Sequence, residues 1–192
     1  MKIALLIQYL GTNFHGWQKQ PNQVSIQGYI EQAIASVTGY KVNIYGAGRT
    51  DAGVHAAAQV AHFEYLGPIP PHKWSKIING RLPEGILIRA SAQVEDDWHA
   101  RFSAVWRRYR YTIYTEKRPN LFIDQTCWHY YQSGLNESLM QQALNSLLGE
   151  HNFAAFKRSG SDRIDAQVEV QVAKCYRQGA FLYLELQANS FL

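Results

Sequence analysis

One run of ten residues concentrates groups that could do chemistry. Residues 46 to 55 hold three glycines together with Arg49, Asp51 and His55. Glycine permits backbone angles and close approaches that a side chain forbids, and an ionised aspartate can act as a nucleophile. The run lacks the third glycine of a dinucleotide-binding fingerprint and the Gly-Lys-Ser/Thr of a phosphate-binding loop. From its residues alone, it predicts either a tight turn in which Arg49 pairs with Asp51 or a reactive loop.

A second run, residues 98 to 111, interleaves four arginines with five aromatic residues. Arginine binds phosphates with two parallel hydrogen bonds, and tyrosine rings can stack on nucleic-acid bases. The same pattern also fits a strand whose arginines are solvated and whose tyrosines fill a core. Both interpretations remain open on the run alone.

Other possible reactive groups are weaker. His62 and Glu64 have the spacing of half a zinc deaminase motif, but no Pro-Cys-x-x-Cys follows. Cys127 and Cys175 lack the spacing of a zinc site and are too few for a disulfide framework. The sequence therefore predicts no metal site.

Composition sets broad limits. The formal net charge is +4 and the isoelectric point is about 9.0, which is compatible with a phosphate-rich partner. No apolar stretch approaches the roughly 18 residues of a membrane span, so we expect no membrane segment. The N-terminal apolar run is too short for a signal peptide and predicts a first buried strand.

Hydrophobic periodicity indicates how these runs are positioned. Apolar residues recur at helical spacing after Ser25 and stop at Gly39, and a second helix is expected between Asn136 and Gly149. Strands are predicted over residues 3–9, 42–45, 59–65, 86–94, 107–115, 168–177 and 181–187. The order is strand, helix, strands, repeated once. It favours an α+β fold of two ferredoxin-like (RRM-like) halves, 1–100 and 101–192, whose largely antiparallel sheets flank a central basic cleft.

Five segments carry a resemblance to a known family. The most specific is Gly48-Arg49-Thr50-Asp51-Ala52-Gly53-Val54-His55-Ala56 followed by Gln59-Val60-Ala61-His62-Phe63. The others are Tyr9-x-Gly11-Thr12-x-Phe14-x-Gly16-Trp17-Gln18, Asn79-x-x-Leu82-Pro83, His99-Ala100-Arg101-Phe102-Ser103-Ala104 with Arg108-Tyr109-x-Tyr111, and His151-x-Phe153-x-x-Phe156. Together they resemble the tRNA pseudouridine synthase A (TruA) family over essentially the whole chain.

The resemblance implies an isomerase that converts uridine to pseudouridine on the 3′ side of the tRNA anticodon stem and loop. It implies a cytoplasmic homodimer that works without metal or organic cofactor. By position, Asp51 is the carboxylate that attacks a flipped-out nucleotide, and Tyr109 lies against the target base. Arg49 is expected to pair with the carboxylate and to help hold the nucleotide. The remaining expected substrate contacts are Arg108, His55 and Arg101.

Two positions depart from the family pattern. Leu10 stands where the family usually has Asp, and the chain ends at Leu192, where the family continues into a helix with a Met-Val-Arg motif. We therefore expect a shortened chain. The alternatives are a non-catalytic RNA-binding module of RRM-like topology, with Tyr109 and Tyr111 as stacking platforms, and a synthase that acts on another RNA.

Overall fold

The computed structural model describes residues 1–132, 134–156 and 166–191. The chain forms two compact units, Met1–Ala104 and Val105–Leu192. The helices are α1 (Ile26–Thr38), α2 (Trp74–Asn79) and α3 (Glu137–Asn145). The strands of the first unit are β1 (Lys2–Tyr9), β2 (Tyr45–Gly46), β3 (Ala56–Glu64) and β4 (Ile86–Val94). Those of the second unit are β5 (Arg107–Tyr114), β6 (Trp128–His129), β7 (Gly149–Asn152), β8 (Gln167–Gln178) and β9 (Phe181–Ala188).

The first unit is built on a four-stranded sheet in the order β2-β3-β1-β4, with every neighbouring pair antiparallel. Alternate residues of β1, among them Ile3 and Leu5, are buried in one core with the apolar face of α1. The predicted ends of that helix are confirmed. The Ser25 hydroxyl accepts the Gly28 N–H at 3.2 Å, and Gly39 adopts the left-handed conformation with φ 78°.

The second unit is a five-stranded sheet in the order β6-β5-β9-β8-β7. All its pairs are antiparallel except β5 with β6. The last two predicted strands are β8 and β9, which form an antiparallel hairpin, and Gly179 supplies the positive φ of 57° that its two-residue turn requires. The Asn136 side chain caps α3 by accepting the Leu139 N–H at 3.0 Å.

One side chain of α3 completes the outer side of β8. β7 pairs with β8 only as far as Val170, so the rest of β8 has no strand on that side within the described residues. There, Gln141 accepts the Cys175 N–H at 2.7 Å and donates to the Ala173 carbonyl at 3.1 Å. The amide thus makes the two hydrogen bonds that a neighbouring strand would make.

The predicted α+β class with largely antiparallel sheets is confirmed, but several element boundaries were wrong, and β3 begins at Ala56 instead of residue 59. The helix expected between Asn136 and Gly149 is α3. It ends at Asn145 because hydrogen bonds between residues three apart tighten the chain after Leu144. Leu139, an apolar residue of this helix, is 62% exposed. The strand expected over residues 42–45 is β2, which pairs with β3 only at Tyr45 and Gly46. None of the helices in the described ranges is long and apolar enough to cross a membrane.

Candidate active site

The loop between β2 and β3 is anchored to β3 at its start. The Ala47 N–H donates to the Val60 carbonyl at 2.8 Å, and the Gln59 side chain donates to the Gly48 carbonyl at 2.9 Å. These bonds extend the pairing of β2 with β3 by side-chain and backbone means. They hold the loop on the sheet before it reaches Asp51.

Thr50, directly before Asp51, is bound by the segment that follows β1. Its carbonyl accepts the Trp17 N–H at 3.0 Å, and its hydroxyl lies 2.8 Å from the Tyr9 hydroxyl. Tyr9 and Trp17 are each only 2% exposed, so these contacts come from the core of the unit. The backbone on the N-terminal side of Asp51 is therefore fixed by contacts with the core.

Close backbone approach explains two glycines of the same segment. A Cβ on Gly16 would lie 2.5 Å from the Thr50 carbonyl oxygen, and Gly16 also has a positive φ of 79°. A Cβ on Gly11 would collide with the carbonyl of Val54. Only glycine lets the segment pack this closely under the reactive loop.

Asp51 itself is exposed at the top of the loop. Its carbonyl accepts the Val54 N–H at 3.2 Å, which closes a turn that contains Gly53 at φ 80°. The predicted pairing of Arg49 with Asp51 is not formed here, since no ion pair within the described ranges joins the two residues. The carboxylate is presented to solvent on a fixed backbone.

His55 closes the loop on its C-terminal side. Its Nδ1 accepts the Gly11 N–H at 3.0 Å, and the residue is partly buried. A neutral imidazole that accepts at Nδ1 carries its proton on Nε2. One nitrogen of His55 therefore fixes the loop, and only the other can serve a substrate.

A buried histidine holds in place the segment that contains Arg101. His62 is 2% exposed, and its Nδ1 accepts the Ala100 N–H at 3.2 Å. Its ring stacks on Tyr45 at 5.2 Å and meets His99 edge-on at 4.6 Å. Burial, with smaller contributions from His99 and Lys2, lowers the pKa of His62 to about 4. His62 is therefore neutral at physiological pH, as its acceptor role requires.

The sequence pattern did not predict this structural role of His62, which was considered only as part of a zinc motif. Along β3 it alternates with the buried Ala61 and Phe63, which predicts an outward-facing side chain. The segment from Trp98 to Phe102 covers it, and this coverage is a contact between residues far apart in the chain. The only local signal was a histidine within an otherwise apolar run.

Arg101 lies at the surface of this segment. Its guanidinium is 5.7 Å from the centre of the Phe102 ring, which stacks on His99 at 4.4 Å. Phe102 is 77% exposed. The first unit thus presents a cationic group on an exposed aromatic ring, a combination that suits phosphates and bases.

Tyr109 and Arg108 lie in the second unit at adjacent positions of β5. Successive side chains of a strand point to opposite faces, so these two residues do not share a face. Tyr109 is 38% exposed and meets Phe191 edge-on at 4.8 Å. Arg108 donates twice to Gln187, at 2.9 and 2.6 Å.

The structure thus brings Arg49, Asp51 and His55 together on one loop. Arg101 lies on another segment of the same unit, and Tyr109 and Arg108 lie in the second unit. Within the described residues, no group of three or more His, Cys, Asp or Glu residues could hold a metal ion.

Comparison with known proteins gives one consistent family. Residues 5–103 match the family model described as tRNA pseudouridine synthase. The tRNA pseudouridine synthase A of Rippkaea orientalis is 65% identical over 100% of this chain, which covers 65% of that protein. The proteins of the same name from Synechocystis and Nostoc are 62% and 59% identical, with 70% and 68% of their lengths covered. The chain thus spans roughly two thirds of the length of the curated relatives it matches.

Proposed function

Because the chain belongs to the tRNA pseudouridine synthase family, we propose that it isomerises uridine to pseudouridine in tRNA. The expected position is the 3′ side of the anticodon stem and loop. Asp51 is the nucleophile in this proposal. The observation that supports it most is the exposed Asp51 carboxylate on a loop that Thr50 and His55 fix on either side.

The reaction rearranges bonds within one nucleotide. The bond between N1 of uracil and C1′ of ribose breaks, the base rotates, and C5 bonds to C1′. The hydrogen on C5 leaves as a proton, and N1 gains one, so the atoms balance. A carboxylate can drive this sequence by attacking the ribose or the base, or by stabilising a cationic sugar.

The geometry around Asp51 suits each of these routes. A nucleophile on a pre-fixed backbone spends little free energy on ordering when the substrate arrives. The target base has to leave its stack, which costs a few kcal/mol, and an aromatic ring can offset part of this cost. We assign this ring to Tyr109.

The remaining contacts follow from where each side chain lies. Arg49 is exposed beside Asp51, where it can pair with the carboxylate or with a phosphate once a nucleotide is bound. Arg101 and Arg108 are proposed to bind the RNA backbone. His55 is proposed to contact the nucleotide through Nε2, because its Nδ1 is occupied by Gly11.

Tritium release tests the proposed reaction. The chain is incubated in molar excess with tRNA labelled at C5 of uracil, and release into water reports loss of the C5 hydrogen. Release is expected from the native chain and is expected to vanish in Asp51→Asn and Asp51→Ala, while tRNA binding in a filter assay stays within about threefold. The Asn variant is the sharper control because it keeps the shape of the side chain.

Each other outcome contradicts a named part of the proposal. Turnover by Asp51→Asn would remove Asp51 as the nucleophile. Binding without release by the native chain would favour a non-catalytic RNA-binding module. Release with modified uridines outside the anticodon stem and loop would favour another RNA target.

We further propose that the protein acts in the cytoplasm, where tRNA is modified, and that it forms a homodimer. Sedimentation velocity over a range of protein concentrations tests the assembly. A single species with the mass of one 21.9 kDa chain at all concentrations would contradict the dimer.

A further inference from the structure

The outward face of the second sheet combines aromatic and basic side chains. Cross-strand register places Arg110 opposite Glu185 and Glu185 opposite Lys174, and it places Tyr183 opposite Tyr176. We call this surface the polar-aromatic face. Its members are Arg108, Arg110, Thr112 and Tyr114 of β5, Phe181, Tyr183, Glu185 and Gln187 of β9, and Lys174 and Tyr176 of β8.

The opposite face of the sheet holds the core of the unit. Val168, Val170 and Ala173 are buried there, packed with Leu186 and with Leu144 of α3. The two faces therefore have different tasks. The core face is packed with apolar side chains along β8 and β9, although Tyr109 and Tyr111 of β5 stay partly exposed on it, and the polar-aromatic face is partly exposed along its length.

Aromatic rings form a continuous row across four strands. Tyr176 and Tyr183 lie 5.2 Å apart, Tyr183 and Phe181 lie 6.0 Å apart with an interplanar angle of 21°, and Phe181 and Tyr114 lie 5.3 Å apart. His129 extends the row at 5.6 Å from Tyr114. Neighbouring rings of this kind stabilise a sheet, and rings left partly open also offer stacking surfaces for bases.

Arg110 lies beside this row in a fixed orientation. Arg110 donates to Glu185 at 2.7 Å and lies 5.2 Å from the centre of the Tyr183 ring. Burial by itself raises the pKa of Glu185, but hydrogen bonds from Arg110 and Tyr176 outweigh burial and bring that pKa below its usual value. Glu185 is therefore ionised, and it neutralises only one of the three cations, since Arg108 and Lys174 remain.

An open groove of about 710 Å³ lies along these cations. Arg108, Arg110, Lys174 and Tyr176 line it, together with Glu185 at its floor. A surface with excess positive charge beside open rings is complementary to a chain of phosphates and bases.

We propose that the polar-aromatic face binds a single-stranded stretch of RNA. Bases stack on Tyr183, Phe181 and Tyr114, and phosphates meet the cations at the groove. This proposal rests on the proposed function for its choice of RNA. By strand alternation Tyr109 points to the other face of β5, so the polar-aromatic face holds a part of the RNA other than the target base.

Affinity for a fluorescein-labelled, unstructured oligouridine, measured by anisotropy on the full chain, tests the surface. Tyr183→Leu is expected to weaken binding about tenfold, because base stacking on one ring is worth roughly 1–3 kcal/mol. Tyr183→Phe keeps the ring and should bind within about twofold of the native chain. Tyr40→Leu is the matched control, since Tyr40 is 45% exposed in the loop that follows α1 and belongs to neither proposed RNA contact, so it should leave the affinity unchanged.

Charge is tested separately. Lys174→Gln should reduce the slope of log Kd against log salt concentration by about 0.7, the value for one phosphate contact with single-stranded nucleic acid. Lys76→Gln, on α2, is the control and should leave the slope as it is. An unchanged slope in Lys174→Gln would overturn the assignment of phosphates to this groove.

Photo-crosslinking of the native chain to a 4-thiouridine oligonucleotide locates the bound RNA without any variant. Crosslinks at Phe181, Tyr183 or Tyr114 are expected. Crosslinks confined to Tyr109 and Tyr111, or a greater loss of affinity in Tyr111→Leu than in Tyr183→Leu, would place the RNA on the other face and overturn the proposal. Failure here is distinct from failure of the proposed function, because Asp51→Asn should stop tritium release without changing oligouridine affinity.

Discussion

Acidification should destabilise the first unit through His62. The pKa of this buried imidazole is about 4 in the folded chain, against an ordinary value of 6.5. Between these two pH values the unfolded chain binds more protons than the folded chain. Stability from this group is therefore complete above pH 6.5 and is lost as the pH falls towards 4.

The size of the effect follows from the two pKa values. At pH 5 the unfolded imidazole is almost fully protonated, whereas only about one tenth of the folded form is. Between pH 7 and pH 5 the free energy of unfolding should fall by about 2 kcal/mol from His62 alone, or roughly 4–8 °C in melting temperature for a chain of this size. Protonation of Nδ1 would also remove the acceptor for the Ala100 N–H.

Urea unfolding followed by tryptophan fluorescence at several pH values measures this contribution. His62→Leu is expected to lower stability overall and to flatten the dependence between pH 5 and pH 7 by about 2 kcal/mol. His72→Gln, which removes an exposed histidine, is the control and should keep the native slope. A nitrogen NMR titration of His62 near 6.5, or an unaltered slope in His62→Leu, would refute the reasoning.

Two further changes test the contacts that hold the loop and the second unit. Gly16→Ala should lower stability by more than the roughly 1–2 kcal/mol of its positive φ, because its Cβ would also press on the Thr50 carbonyl, and it should reduce tritium release. Gly39→Ala has nearly the same φ but nothing within 4 Å of the added Cβ, so it should cost only about 1–2 kcal/mol and leave release intact. Equal release by the two variants, measured beside thermal melts, would contradict this account of the loop. Asn136→Ala should lower the free energy of unfolding in urea by about 1 kcal/mol, because it removes the cap of α3. Ser138→Ala, two residues further on, should lower it by less than half as much.

Local patterns predicted those elements whose ends are set by nearby residues. Ser25 and Gly39 bound α1 because a cap and a left-handed stop act within one turn. The strands predicted over residues 107–115 and 181–187 are confirmed as β5 and β9, which pair with each other.

Features that depend on distant partners could not be read from local pattern. β6 and β7 are two and four residues long, too short for any periodicity to register. The pairing of β7 with β8, directly after α3, joins residues fifteen or more apart in the sequence. At the candidate site, the loop residues were predicted, but the tie between Thr50 and Tyr9 and the burial of His62 were not, since both need the folded sheet.

The amide of Gln141 has a consequence for how copies of this protein behave towards each other. An open strand edge is a template for pairing with a second chain, and β8 would present one beyond Val170 if α3 moved away. The helix is only nine residues long, and its stability depends on its cap and on its packing against β8. Detachment of α3 would therefore expose an edge open to pairing between copies, and the two hydrogen bonds of Gln141 oppose that detachment.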